Sequence, residues 1–269
     1  MYEIIETSYH PTYVTLSVLC AIMGAYTALT VVYRLLAFEH AQINRHLDVL
    51  TRMQSRTERT PAPSKHAYPL TLLLAGVAFG GLGVWVMHFV GSMGLNMHLP
   101  VTYSVVETVA SLLIAIFGAT LGLGILAVNP YSNQRLMVSG VILGLGVIGM
   151  HYVGMHSMRF DGFYQWDWRL VALSCVIAVV ASTAALCLAF VTSSNATRLL
   201  AAVVMGIAVS AMHYTGMAAG SVCSSSDVMS DLEIDTLMSV PQMPMLLAMG
   251  VLLITFTLVM DRMFLSRER

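Results

Sequence analysis

Charge is scarce in this chain. Only 10% of its 269 residues are Asp, Glu, Lys or Arg, 57% are hydrophobic, and the mean hydropathy is +0.77. A soluble domain of this size could not solvate so apolar a surface, which leaves an integral membrane helical protein. A net charge of −1 excludes the basic footprint of a nucleic-acid binder. Cysteine is scarce too: Cys20, Cys175 and Cys187 lie inside apolar runs and Cys223 in a connection, none at metal-ligand spacing from another. That excludes a disulfide framework and a cysteine metal cluster. The acidic opening, with Glu3 and Glu6, lacks the basic stretch of a signal peptide.

Long apolar runs are what the chain has. About 20 apolar residues cross a bilayer core, and seven segments qualify: Tyr13–Phe38, Tyr68–Ser92, Thr102–Val128, Leu136–Met158, Trp168–Val191, Leu199–Gly220 and Met245–Phe264. Eleven of the 13 basic residues fall on one side of these spans: Arg34, Arg45, Arg52, Arg56, Arg59, Lys65, Arg135, Arg198, Arg262, Arg267 and Arg269. Arg159 and Arg169 fall on the other, beside Asp161 and Asp167. Basic residues stay cytoplasmic, so the N-terminus is expected outside and the C-terminus inside. The expected fold is an all-α integral membrane domain over residues 1–269. It has seven transmembrane helices, arranged as three parallel helix-pair repeats plus a seventh helix.

The repeats announce themselves. Met87-His88-Phe89-Val90-Gly91, Met150-His151-Tyr152-Val153-Gly154 and Met212-His213-Tyr214-Thr215-Gly216 end alternate spans, with the histidines 63 and 62 residues apart. Two crossings return the chain to the side it left, so all three histidines are expected at the outer membrane face. Seven residues before each lies a glycine (Gly81, Gly144, Gly206), nearly two turns away and so on the histidine's face. Small residues let membrane helices approach closely, which places the histidines in the interior.

His151 and Met155, and His213 and Met217, are four residues apart, about one turn. Neutral imidazole with thioether suits copper, especially Cu(I), better than hard cations. In the first copy Ser92 stands where the others have methionine, and Met93 comes one residue later, reaching the site only if the helix unwinds at Gly91. Glu107, the one acid within a span, could accept a proton from a ligating imidazole or equally reach outward to water. His156 crowds the second copy, and His10 precedes the first span; both are candidates for the surrounding shell. Phe89, Tyr152 and Tyr214 fit an aromatic belt at the outer interface. The competing reading of the histidines is a buried, hydrogen-bonded triad that orders the helix ends.

The strings GVWVMHFVGSM, LGVIGMHYVGM and MGIAVSAMHYTGMAA resemble the three signature segments of the MHYT domain, a bacterial seven-span sensor module. The segment from Tyr9-His10 to Tyr26-Thr27-Ala28-Leu29 resembles that family's first span, and the likeness runs from about residue 9 to 263. The resemblance implies a sensor in the bacterial cytoplasmic membrane that binds copper through His and Met and detects oxygen, carbon monoxide or nitric oxide. It carries over to His88, His151, His213, Met155 and Met217, with Met93 as the first copy's stand-in. Many relatives continue from the last span into a cytoplasmic signalling domain; this sequence is expected either to be a piece of such a protein or, if it stands alone, to act through a cytoplasmic partner.

The cytoplasmic loop 39–66 is the expected partner surface, with Ile43, Leu47, Leu50 and Met53 at helical spacing before Pro61 and Pro63. A basic helix resting on anionic lipid is the alternative. The outer loop 221–244 is expected to be a solvated connection, with a cover over the site as the alternative. Copper handling or transport, a His-ligated membrane metalloenzyme and a haem protein are the other functional readings. An enzyme is the poorer fit, because no acid–base set accompanies Glu107.

Overall fold

A computed structural model of the chain describes residues 3–51, 67–191, 194–224, 237–239 and Gly250. After two short strands, β1 (Glu3–Ile4) and β2 (Ser8–Tyr9), helix α1 runs unbroken from Pro11–Thr51. Pro11 opens it at the position where a missing N–H costs nothing. The next span is composite: α2 (Ala67–Gly76), a π-helical stretch Val77–Val86, and α3 (Met87–Met93). Strands β3 (Leu95–Asn96) and β4 (Thr102–Ser104) lead to α4 (Val105–Ala127) and α5 (Asn133–Ser157). Then come β5 (Met158–Arg159), β6 (Gly162–Trp166), α6 (Trp168–Val191), α7 (Asn195–Ala218), β7 (Gly220–Ser224) and β8 (Leu237–Ser239). The serine before α7 forms a capping box with Thr197, and Ser132 caps α5 through the Arg135 amide.

Six helices among the described residues are long and apolar enough to cross a membrane: Pro11–Val31, Pro69–Met93, Val105–Ala127, Asn133–Ser157, Trp168–Leu188 and Asn195–Ala218. They match the first six expected spans. The seventh, Met245–Phe264, lies outside the described residues but for Gly250. The six close into a ring: α1 packs on the composite span and α7, α4 on the composite span and α5, and α6 on α5 and α7. Histidine-bearing helices therefore alternate with α1, α4 and α6. Two glycine pairs bring backbone onto backbone, Gly118 with Gly146 and Gly24 with Gly83, and a Cβ at 24, 118 or 146 would collide.

Short strands, unexpected in an all-α reading, gather at the histidine end. The strand before each odd helix pairs with the strand after the following histidine helix: β2 with β3, β4 with β5, and β6 with β7. Each repeat is thus strand, helix, histidine helix, strand, closed on itself. β1 adds to β7 and β8 to β4. Of the connection 221–244, expected to be solvated, residues 221–224 and 237–239 are described and join this cap, with Val222 and Cys223 buried in β7. Strands of two to five residues are too short to show alternation in the sequence.

Two further expectations change. In the composite span, i→i+5 winding shifts the register. Gly81 has only a loose neighbour, Leu112 Cδ1 at 3.9 Å from an ideal Cβ, and Gly80 instead takes the close approach, onto the Ala115 backbone. Gly144 and Gly206 keep tight contacts with Val179 on α6 and Ile22 on α1. The loop expected at 39–66 is helical through Thr51, as the continuation of α1, and 52–66 lie outside the described residues. At 1.5 Å per residue the 41 residues of α1 extend about 60 Å, roughly twice a bilayer core.

Candidate metal centre

His88, His151 and His213 are fully buried and converge at the ring axis, just beneath the cap. Their Nδ1 atoms form a triangle with sides of 3.1, 3.2 and 3.3 Å. The rings stand nearly perpendicular in pairs, at 84°, 85° and 86°, like three faces meeting at a cube's corner. Lone pairs on Nδ1 lie in the ring planes, so all three aim at one point. A point equidistant from the three atoms lies about 1.8–1.9 Å from each (3.2 Å divided by √3), slightly inside the 2.0–2.1 Å of an imidazole–zinc bond. Protons alone satisfy such a triangle poorly, since no Nδ1–H can point at the centre without crowding two other nitrogens. One cation satisfies all three.

The opposite edges of the rings explain a part of the motif that spacing alone does not. A Cβ added at Gly154 would collide with His88 Nε2, one at Gly216 with His151 Nε2, and one at Gly91 with His213 Nε2. Each imidazole therefore lies on the glycine three residues past the next repeat's histidine, and the third closes onto the first. None of the three Nε2 atoms has a side-chain or backbone partner of good hydrogen-bond geometry among the described residues. The tautomer with Nδ1 bare and Nε2 protonated suits this arrangement, with the N–H edge turned to glycine backbone.

The residue after each histidine packs edge-on against it, with ring centroids 4.8 Å apart in all three copies. Phe89 is fully buried and Tyr152 and Tyr214 partly so, which places them around the histidines instead of in a lipid-facing belt. A serine on the neighbouring odd helix holds each in place. Tyr214 Oη bonds Ser17 Oγ at 2.8 Å, and Tyr152 Oη bonds Ser174 Oγ at 2.7 Å. Phe89 has no hydroxyl, and there Trp85 Nε1, stacked on Phe89, donates to Ser111 Oγ at 3.0 Å.

Eight residues before each serine is an aromatic of the cap, Tyr9, Tyr103 or Trp166, which packs on Tyr214, Phe89 or Tyr152 respectively. Burial, with Tyr214 adding to it, pushes the Tyr9 hydroxyl up to about 12, and burial raises Tyr103 as well. Both stay neutral at physiological pH. The recurrence aromatic–x7–serine at the head of spans one, three and five was available in the sequence as the signal for this collar.

Other candidates scatter. Met155 and Met217 are buried one turn past their histidines, and Met217 Sδ accepts a weak bond from Ser92 Oγ at 3.9 Å. Position 92 of the first copy thus meets position 217 of the third. Helix α3 continues through Gly91 without unwinding, so Met93 turns away and lines a separate cavity of about 410 Å³ with Met97, Tyr103 and Met158. Glu107 does not reach the imidazoles. It pairs with Arg159 Nη2 and His156 Nδ1, both at 2.7 Å, at the histidine end of the bundle. His10 is exposed and packs on Tyr13.

Comparison with known proteins agrees with the internal threefold. The family model MHYT, described as a bacterial signalling protein N terminal repeat, matches residues 81–140, 144–202 and 206–268. The chain is 33% identical over 230 residues to the bifunctional diguanylate cyclase/cyclic di-GMP phosphodiesterase MucR of Pseudomonas aeruginosa, covering 82% of this chain and 30% of that protein. It is 27% identical over 224 residues both to the signaling protein YkoW of Bacillus subtilis and to the cyclic di-GMP phosphodiesterase NbdA of Pseudomonas aeruginosa, in each case 81% of this chain and 25% of the relative. The chain therefore spans a quarter to a third of the length of these curated relatives. No solved structure matches it. With six membrane-length helices and three successive matches to one repeat, each opening on the glycine seven residues before a triad histidine, the chain is a multi-pass membrane protein that belongs to the MHYT family.

Proposed function

We propose that this chain is a sensor domain in which His88, His151 and His213 hold a copper ion, with a diatomic gas as signal and a cytoplasmic process as output. The observation that supports it is the triangle of Nδ1 atoms, 3.1–3.3 Å apart and aimed at one buried point. The donors are neutral imidazoles with thioethers a turn away and no carboxylate alongside, which fits a soft or borderline transition metal. Met155 and Met217 are the proposed thioether donors. When bound, copper supplies a coordination position at which a small neutral molecule such as oxygen, carbon monoxide or nitric oxide is held.

The chain's own residues do the rest. Glycines 91, 154 and 216 stop the imidazoles from turning, and the aromatic collar keeps bulk water off the axis. The Tyr214–Ser17 bond couples the third motif to α1, the helix that runs on past the bundle at the far end. A ligand that favours one packing of the motif over another would shift α1 with it. The proposed orientation puts the triad outside and the α1 extension, with loop 39–66, in the cytoplasm. Cyclic di-GMP turnover, named in two of the relatives, is the proposed output.

Copper transport is less well served, because the axis below the triad is filled by Phe79, Leu143, Met205 and their neighbours around a space of about 10 Å³. A haem between two of the histidines would need nitrogens about 4 Å apart, two bonds of roughly 2 Å, against the 3.1–3.3 Å present. Elemental analysis of detergent-purified protein beside the His88→Ala, His151→Ala, His213→Ala triple variant tests the reading. Stoichiometric copper in the first and none in the second is expected; metal-free protein that is equally stable in both would leave a structural triad.

A further inference from the structure

The repeats are not equivalent at the cap. Beside the second histidine motif, a cleft of about 630 Å³ opens between α5, the β5–β6 turn and the head of α6. That is the size of a small-molecule site. Its lower wall, with Ile148, Val171 and Cys175, belongs to membrane spans, and its upper wall to the cap, so the cleft straddles the outer interface. Met155, one turn past His151, shares this wall.

The upper wall is aromatic. Phe160, Tyr164, Trp166 and Tyr152 form a continuous chain of rings with centroids 4.9, 5.4 and 5.5 Å apart, which favours a flat ring system. Two polar features border the cleft. Among the described residues the Tyr164 hydroxyl meets the Met158 thioether at 3.5 Å, a weak acceptor that a carbonyl oxygen would replace at a gain. Arg159 and His156 stand at the rim, but Glu107 already meets both at 2.7 Å. A charge-compensated trio does not call for an anion, yet the guanidinium keeps N–H donors to spare.

We propose that this cleft binds a neutral, planar, carbonyl-bearing amphiphile drawn from the membrane, of the quinone class, with its ring against the aromatic wall and a carbonyl on Tyr164. This site adjoins the histidine triad through Met155 and Tyr152 but takes its own occupant and needs no metal to hold it.

Two of the chain's three tryptophans, Trp166 and Trp168, line the cleft and report on it. Protein in phosphatidylcholine nanodiscs, titrated with decylubiquinone, should show saturable tryptophan quenching. Ile148→Phe, which fills the cleft, should abolish the saturable part. Tyr164→Phe, which removes one hydroxyl with a poor partner and leaves the fold intact, should weaken binding by about threefold to tenfold, the worth of one hydrogen bond. Quenching that rises linearly and identically in wild type and Ile148→Phe would be partition into lipid and would overturn the proposal. So would saturable binding unchanged by Tyr164→Phe but competed by phosphatidylglycerol, which would make the cleft a seat for an anionic lipid headgroup.

Discussion

His88 lays the Nε2 edge of its imidazole on the backbone of Gly154, a residue of the next repeat. The same relationship joins His151 to Gly216 and His213 to Gly91, so the glycine of each motif is a support for its neighbour's ring.

Replacing Gly154 with alanine should therefore displace His88 without touching any proposed ligand. Overpacking of this kind costs about 1–3 kcal/mol, and loss of an orienting contact lowers metal affinity by roughly 10–100-fold. Thermal unfolding and copper content of Gly154→Ala, measured together, check both. Wild-type copper retention would mean that the ring position does not depend on this glycine.

The serine–aromatic braces predict a measurable coupling. Tyr214→Phe and Ser17→Ala each remove one partner of a 2.8 Å bond. A double-mutant cycle on stability should return a coupling energy of about 1 kcal/mol. Because α1 carries Ser17, the same variants should also alter signal-dependent output more than they alter copper binding.

The two kinds of glycine in the ring separate cleanly. Gly24 has the Gly83 backbone directly against it, whereas Gly81 has open space out to Leu112 Cδ1 at 3.9 Å. Gly24→Ala should destabilise the bundle by about 1–3 kcal/mol through forced separation of two backbones. Gly81→Ala should be close to neutral in the same melting experiment, although sequence spacing gives Gly81 the same role as Gly144.

Glu107→Gln removes an ion pair with Arg159 at the outer surface, where both side chains are 24% exposed. Solvent screening limits the cost to about 1 kcal/mol or less. Copper content should stay at the wild-type level, which distinguishes this carboxylate from a group that orients an imidazole.

Sidedness is tested by labelling. Asp161→Cys, exposed in the β5–β6 turn, should react with a membrane-impermeant maleimide added to intact cells. Tyr131→Cys, at 86% exposure between α4 and α5, should react only after lysis. The reverse pattern would invert the proposed orientation.

Much of this architecture was readable before any coordinates, and the reason is physical. A bilayer demands runs of about 20 apolar residues, and three near-identical histidine strings at an interval of two crossings place their side chains at one end of one bundle. The individual contacts were less readable. The π-helical stretch Val77–Val86 leaves no composition signal, yet it moves the close approach from Gly81 to Gly80. Met93 was ambiguous because its placement depended on whether the chain unwinds at Gly91, and it does not. Glu107 stays open in the sequence between an imidazole and the outside because its partners, His156 and Arg159, lie 49 and 52 residues away. The serines at 17, 111 and 174 carry no signal of their own; the aromatic eight positions upstream of each is the pattern that marks them.

Because the last imidazole rests on the first repeat, the trio has no free end. A push on any member travels round the circle and returns, so one repeat can hardly loosen while the other two stay shut. Such a centre behaves like the blades of a camera iris, which widen or narrow in unison, and that suits a detector whose answer must be all or nothing.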